Sequence, residues 1–208
     1  MAASNITAYL ASHSYDEKNY SAMYEPNYVP QNIPYIFSKT DFLTHMNNVY
    51  NYVRPMEIVY IDSMDIYGNP HFTVAGTIGV WPMSLFVKDV ETYADSCGVQ
   101  LNAVYKSGAF NKTNTTEYIV EGLKKNIPVA MFIALNEQLK NIKVTSPDGS
   151  SWIQESFARH WVTITEIKID EISGETTLKV STWGAYAYLS LDDYLAGAWS
   201  IDGFMYFE

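Results

Sequence analysis

Apolar side chains recur every three to four residues through the first part of the chain, which is the spacing of one helical face. The pattern predicts four helices in this part, at 2–12, 39–53, 82–96 and 115–125. The first has an apolar face made of Ala2, Ala3, Ile6, Tyr9 and Leu10. No Ser, Thr, Asp or Asn stands before this helix as a cap and no strand leads into it, so we expect a segment upstream of it.

The segments between these helices have other patterns. Residues 16–37 are rich in Tyr, Pro and Asn and predict an irregular loop, and turn signals occur in 57–80. A strand is predicted at 99–105. His45 lies beside the apolar stripe of the second helix, where we expect a packed or exposed histidine and not a ligand.

The period of the pattern changes near residue 127, and strands replace helices. Residues 128–135 form a continuous apolar run, which is typical of a buried strand. Further strands are predicted at 160–169, 176–183, 185–191 and 203–207, with a short helix at 192–195. Helices followed by an antiparallel sheet make an α+β fold. We expect a single domain over 1–208, mainly helical in 1–126 and mainly β in 127–208.

Composition changes this picture mainly by exclusion. Hydrophobic residues make up 48% of the 208, which is enough for a sizeable core. The net charge is −10 with only 13 Lys and Arg, so nucleic acid is not an expected partner. No apolar run approaches the roughly 20 residues that span a bilayer, so no membrane span is expected. No signal peptide is visible, and an extracellular and a cytoplasmic location both fit.

One histidine and one short motif could carry chemistry. His160 opens the predicted strand 160–169, and Ser181-Thr182-Trp183-Gly184 ends the partner strand. If the hairpin folds about residue 172, His160 faces the 181–184 stretch. A histidine beside a polar residue that holds its ring in one tautomer is the arrangement of a general base. The same pattern also fits a strand-end histidine with a buried tryptophan nearby.

This pair of segments resembles the papain-like cysteine peptidases. That family places its histidine at a strand start, and its third residue heads an Asn-Ser-Trp-Gly motif, which Ser181-Thr182-Trp183-Gly184 resembles with Ser in place of Asn. The His-Trp-Val-Thr-Ile-Thr and Val-Ser-Thr-Trp-Gly segments look like the branch of bacteriocin-processing, double-glycine peptidases. The resemblance covers residues 115–208. It implies a papain-like fold, in which a helical front half packs on an antiparallel sheet, and a peptide or protein substrate.

The resemblance also implies roles for individual residues. A Cys-His pair would hydrolyse the peptide bond, with His160 as the proton shuttle and Ser181 as the residue that positions it. Trp161, Trp183 and Gly184 would line the substrate cleft, and Trp183 would exclude water from the pair. Ser181 departs from the family's Asn, and a hydroxyl orients an imidazole less firmly than an amide oxygen does.

The nucleophile of this family lies in a Cys-Gly-Pro-x-Ala type of sequence at the start of the central helix. A helix N-terminus stabilises negative charge and lowers the thiol pKa there. The chain opens with Met1-Ala2-Ala3-Ser4-Asn5-Ile6, which looks like the continuation of that motif. We therefore expect Met1 to be an internal methionine and the cysteine to lie just upstream of it. Cys97, at the C-terminal end of a predicted helix, is not expected to replace it, so we expect no proteolysis by these 208 residues.

Two other hypotheses stay open. A natural pseudoenzyme would lack the cysteine by origin and would bind a peptide or cell-wall fragment in a cleft rich in the chain's 17 tyrosines. An unrelated α+β protein would place His160 and Ser181 beyond about 6 Å of each other, outside the reach of a base and its orienting residue. If a front segment is missing, the apolar surface it leaves favours a homodimer.

Other chemistries lack their motifs in this sequence. No His-Glu-x-x-His pattern, paired cysteines, Gly-x-Gly-x-x-Gly or P-loop occurs, so neither a metal nor a cofactor is expected. The single cysteine, Cys97, excludes an intrachain disulfide.

Overall fold

The computed structural model describes residues 2–11, 14–15, 18–24, 39–53, 56–64, 70–78, 83–107 and 110–208. The first elements are α1 (Ala2–Ala11), β1 (Ser14–Tyr15), β2 (Lys18–Asn19), a 3-10 turn at Ser21–Met23, α2 (Lys39–Tyr50), β3 (Met56–Met64), β4 (Pro70–Ile78) and α3 (Met83–Ser96). They are followed by β5 (Ala103–Ser107), α4 (Lys112–Lys124), β6 (Val129–Ile133), β7 (Lys140–Thr145), β8 (Ser151–Ser156), β9 (His160–Ile169), β10 (Thr176–Thr182), β11 (Ala185–Ser190), α5 (Leu191–Ala196) and β12 (Gly203–Phe207). The chain is therefore a mixture of helices and antiparallel sheet, which is the α+β class predicted from the sequence.

Within the described part of the chain, eight strands form one sheet in the order β5-β12-β6-β9-β10-β11-β7-β8. Every neighbouring pair in it is antiparallel. β9 and β10 lie at the centre of this order and have partner strands on both sides. β3 and β4 pair with each other in a separate two-stranded sheet.

The two faces of the main sheet can be assigned from the β9–β10 register. Residues that pair directly across antiparallel strands point to the same side. Ser181 pairs with Thr163, and Val180 pairs with Ile164, so these two pairs mark opposite sides. We call them the Ser181 face and the Val180 face.

Helices cover both faces. α1 and α3 lie on the Ser181 face, where Asn5 bonds to Ser181 and the Phe86 ring stacks on Trp161 with centroids 4.2 Å apart. α5 lies on the Val180 face, where the Tyr194 ring contacts Phe204 at 5.2 Å. All residues of the central strand β6 and of β12 are buried between these two layers.

The structure departs from the sequence prediction in several places. The strand predicted at 99–105 lies at Ala103–Ser107, and β2 and the 3-10 turn fall within the predicted loop. β3 and β4 form a hairpin where the sequence was interpreted only as turns, although the run Ile58-Val59-Tyr60-Ile61 has the composition of a strand. β7 and β8 were not predicted. β8 is mostly exposed and polar, and in β7 the apolar alternation is limited to Ile142 and Val144. α4 begins three residues earlier than predicted, because the Asn111 side chain caps it by accepting from Asn114 N at 2.9 Å. Of the predicted loop at 16–37, residues 16–17 and 25–37 lie outside the described residues.

A close approach between α4 and the sheet yields a test of this packing. A Cβ on Gly122 would lie 2.7 Å from Val129 Cγ2 and 3.0 Å from Tyr206 Cδ1. At an open helix position Gly→Ala stabilises by about 1 kcal/mol, but here overpacking should outweigh that gain. We expect Gly122→Ala to lower the free energy of unfolding by about 1–3 kcal/mol in urea titrations. Glu117→Ala, on the exposed side of α4, is the control and should be nearly neutral. Equal stability of the two variants would contradict the close contact.

Candidate functional site

The candidate site lies where β9 begins and β10 ends. His160 is the first residue of β9 and Thr182 is the last residue of β10, and the two strands run antiparallel. Trp183 and Gly184 form the two-residue turn into β11, with φ values of 47° and 75°. Hairpin turns with positive φ at both positions favour Asn-Gly, so a tryptophan in the first position is strained, by about 1–3 kcal/mol.

Thr182 is the hydroxyl residue that reaches His160. His160 Nε2 and Thr182 Oγ1 lie 2.5 Å apart, which is hydrogen-bond distance. Side chains alternate along a strand, so Thr182 shares the Val180 face with His160, while Ser181 points to the other side. We expected Ser181 to position His160. In the structure the neighbouring residue, Thr182, makes this contact instead.

A one-residue shift in the strand ladder explains this difference. Lys179 pairs with Glu166, but the next residue of β10, Val180, pairs with Ile164. Thr165 is thus an extra residue in β9, a β-bulge. Beyond a one-residue shift, each side chain of one strand lies on the opposite face of the sheet from the side chain that it would accompany in a regular ladder. A regular ladder would bring Ser181 to the side of His160, whereas the bulged ladder brings Thr182.

Trp183 covers one side of the His160 ring. The two rings are stacked, with centroids 4.2 Å apart and planes 9° from parallel. Phe157 packs against both, at 6.3 Å from the His160 ring and 5.2 Å from Trp183. Trp183 remains 38% exposed, so its outer surface can contact a ligand while its inner surface shields His160. A Cβ on Gly184 would meet nothing within 4 Å, which leaves open space beside the turn.

Trp161 lies in the core and not in a cleft. It is 8% exposed and is stacked between Phe86 of α3 at 4.2 Å and Phe132 of β6 at 4.8 Å. As the direct neighbour of His160 along β9, it must point to the opposite face. The expectation that Trp161 lines a substrate cleft is corrected by this packing.

Ser181 connects the strand end to α1. Its Oγ accepts a hydrogen bond from Asn5 Nδ2 at 3.1 Å, and this bond is partly buried. The first turn of α1 therefore lies against the strand end that carries Thr182. Sequence reasoning missed Asn5 and Thr182, because both depend on which face each strand residue occupies.

The environment of His160 keeps the imidazole neutral at neutral pH. Burial, and to a lesser extent the positive charge of the chain's amino terminus, lowers the pKa of His160 from 6.5 to about 4. A neutral imidazole can accept a proton, which a general base must do. Within the described part of the chain, no carboxylate lowers or raises this pKa, and Thr182 is the polar side chain that contacts the ring.

The only cysteine lies at the end of α3. Cys97 follows Ser96, the last residue of that helix, and its Sγ is 3.9 Å from Ser96 Oγ. Its thiol also acts on Tyr93, one turn earlier on α3, whose phenol pKa is raised chiefly by burial and in part by Cys97. This position matches the expectation of a thiol at a helix C-terminus.

The described ranges contain neither a group of side chains placed to bind a metal ion nor a helix that could span a membrane. No group of three His, Cys, Asp or Glu side chains there is placed to hold a metal ion. None of the helices within those same ranges has the length and apolar character needed to cross a bilayer.

Comparison with known proteins assigns no family to the chain. No family model matches it, and neither a curated protein nor a solved structure does. The function must therefore be argued from the chemistry of the site residues.

The contact between His160 and Thr182 can be tested by the tautomer of the imidazole. A neutral hydrogen bond contributes about 0.5–1.5 kcal/mol, so Thr182→Val should change the ratio of the two neutral tautomers by about two-fold to ten-fold. The ratio is measured from the ring nitrogen shifts of His160 in long-range proton–nitrogen NMR spectra at pH 7. Thr177→Val, the same substitution at the other end of β10, should leave the ratio unchanged. A tautomer ratio that is the same in Thr182→Val as in the wild type would show that the Thr182 hydroxyl does not hold the His160 ring.

Burial of a neutral His160 also makes stability depend on pH. The folded-state pKa is about 4 against an ordinary value of 6.5, so the unfolded chain takes up the proton first as the pH falls. The contribution of the neutral ring is complete above pH 6.5 and is lost between pH 6.5 and about 4. The loss amounts to at most about 3 kcal/mol, at 1.36 kcal/mol per pKa unit. His160→Gln should flatten the fall of the unfolding free energy over that window in urea titrations. An unchanged slope would mean that His160 titrates normally in the folded protein.

Proposed function

We propose that this chain has a papain-like cysteine peptidase fold and that His160 is the general base of its site. The observation that carries the proposal is that His160, Thr182 and Trp183 lie together where β9 begins and β10 ends. His160 Nε2 is held by a hydroxyl at 2.5 Å and its ring is covered by an indole at 4.2 Å. A base that is held in one orientation and shielded on one side is suited to activating a nucleophile.

The proposed reaction is peptide-bond hydrolysis by a Cys-His pair. The neutral His160 takes the proton of a thiol, and the resulting thiolate attacks the carbonyl carbon of the substrate. His160 then returns the proton to the leaving amine, and water releases the acyl group from the sulfur. Thr182, and not Ser181, keeps the His160 ring in position through these steps. Backbone and side-chain donors near the start of α1 stabilise the oxyanion.

The thiol in this proposal belongs at the start of α1. The bond from Asn5 to Ser181 holds the first turn of that helix against the strand end beside His160. Helix N-termini lower thiol pKa values, which favours the reactive thiolate there. The residues Ala2, Ala3 and Ser4 provide no thiol, and Cys97 lies at the end of α3. We therefore expect the 208-residue chain itself not to hydrolyse peptides.

The test supplies the missing group and asks whether His160 activates it. We expect a chain extended by Cys-Gly-Pro before Met1 to react with iodoacetamide faster at pH 6 than free cysteine does, because a paired thiolate persists below the ordinary thiol pKa. The same chain should cleave members of a peptide library, measured by mass spectrometry. The matched control carries Ser-Gly-Pro instead and should do neither.

The role of His160 is tested in the same extended chain. His160→Ala should remove both peptide cleavage and the enhanced alkylation, while circular dichroism remains that of the folded protein. If the Cys-Gly-Pro chain folds but alkylates at the rate of free cysteine and cleaves nothing, the peptidase proposal fails.

A second candidate function is ligand binding without catalysis. The exposed part of Trp183, together with the open space beside Gly184, favours it, because an indole over a neutral ring is a platform for peptide or sugar groups. In that case the 208-residue chain should bind peptides or peptidoglycan fragments, seen as a change in tryptophan fluorescence that Trp183→Phe removes. Trp152→Phe, on the exposed strand β8, is the control and should keep the response.

A further inference from the structure

A second histidine, His45 of α2, is buried beneath α1. It is 1% exposed, and its Nε2 lies 3.1 Å from Ser4 O and 2.8 Å from Thr7 Oγ1. The Thr7 hydroxyl donates to Ala3 O at 2.9 Å, so its oxygen is free to accept from His45. Ser4 O can only accept. The two contacts with α1 favour a proton on Nε2, which then donates to both groups, while the Met23 carbonyl is the competing acceptor for the ring.

The other contacts of His45 are uncharged. Its Nδ1 is 3.4 Å from the Tyr93 hydroxyl of α3, and that hydroxyl donates to Met23 O. The Tyr24 ring lies against the imidazole, with centroids 4.8 Å apart. Among the contacts of His45 in the described part of the chain, none is a carboxylate or a cation. Burial lowers the pKa of His45 to about 4, so the ring is neutral at pH 7 and keeps its Nε2 donor.

Two dipeptides connect His45 to His160. Ser4 O, which accepts from His45, belongs to the same planar peptide unit as the nitrogen of Asn5. Asn5 Nδ2 donates to Ser181 Oγ at 3.1 Å, and Ser181 precedes Thr182, whose hydroxyl lies 2.5 Å from His160 Nε2. The path from one imidazole to the other thus consists of hydrogen bonds, two planar peptide units and the side chains of Asn5, Ser181 and Thr182.

We propose that His45 is a positioning residue for the His160 site and acts through Ser4-Asn5 and Ser181-Thr182. Its role in catalysis rests on the proposed function, but its effect on the orientation of His160 does not. An apolar side chain would fill the same space between α1 and α2 without a directional bond. The Nε2 donor instead fixes the Ser4 carbonyl, and this sets where the Asn5 amide meets Ser181.

The experiment measures the tautomer ratio of His160 by NMR at pH 7 in the 208-residue chain. His45→Leu removes the Nε2 donor and should change the ratio by about two-fold or more, as expected for residues that share one network. His45→Gln places an amide donor near the position of Nε2 and should restore most of the wild-type ratio. Tyr9→Phe removes a different hydrogen bond of α1, to Asn126 Oδ1, and should have no effect.

Asn5→Ala tests the same path without disturbing the buried histidine. It should shift the His160 ratio in the direction of His45→Leu, and the double variant should equal Asn5→Ala alone, because both changes interrupt one path. If His45→Leu does not fold, Asn5→Ala still shows whether the bond from Asn5 to Ser181 affects the orientation of His160.

The outcomes separate this inference from the peptidase proposal. A His160 ratio that responds to His45→Leu and to Asn5→Ala but not to Tyr9→Phe supports the path, whether or not a Cys-Gly-Pro chain cleaves peptides. A ratio unchanged in folded His45→Leu and Asn5→Ala, or shifted equally by Tyr9→Phe, overturns it. Cleavage by the extended chain would then still stand, with His160 positioned by Thr182 alone.

Discussion

The β-bulge at Thr165 is the constraint on which the candidate site depends. It shifts the β9–β10 ladder by one residue between the Lys179–Glu166 and Val180–Ile164 pairs. Everything beyond the shift, up to His160 on β9 and Thr182 on β10, then takes its partners from the bulged register. The shift puts Thr182 beside His160 and turns Ser181 toward α1. Trp161 is buried against α3 because alternation along β9 turns it away from His160.

The residues around His160 carry backbone conformations that are unfavourable for large side chains. Trp183 occupies a left-handed turn position with a φ of 47°, where small or polar residues are usual, and Arg159 just before β9 has a φ of 58°. His160 is partly buried, and no carboxylate in the described part of the chain contributes to the shift of its pKa. Strain and burial of titratable groups are retained at sites of function more often than elsewhere. Their concentration at one end of β9 and β10 is the physical reason for placing the function there.

The strongly patterned elements could be predicted from the sequence, and the side-chain partnerships could not. The β9 and β12 bounds follow from Val-, Ile- and aromatic-rich runs between clear turns, and α1 follows from the spacing of Ala2, Ile6 and Leu10. β7 and β8 leave only a weak signal, because β8 is largely exposed and polar and β7 has only two inward apolar residues, Ile142 and Val144. His160 and the motif after Ser181 were found as a pair from hairpin spacing alone. The sequence could not show whether Ser181 or Thr182 contacts His160. A single extra residue in the ladder decides between them, and nothing in the sequence marks Thr165 as a bulge.

The site is thus held from two independent directions. Along the sheet, the bulged register fixes which hydroxyl meets His160. Across the sheet, α1 meets the same strand end through Asn5 and Ser181, and α1 is itself fixed by His45. Neither support replaces the other, since the register sets the face of each side chain and α1 sets the position of the strand end. In the peptidase proposal the nucleophile precedes α1, which lies on the Ser181 face, whereas His160 lies on the Val180 face. The thiol would therefore have to reach His160 around the end of the two strands, so the position of the first turn of α1, which His45 and Asn5 hold, bears directly on that approach.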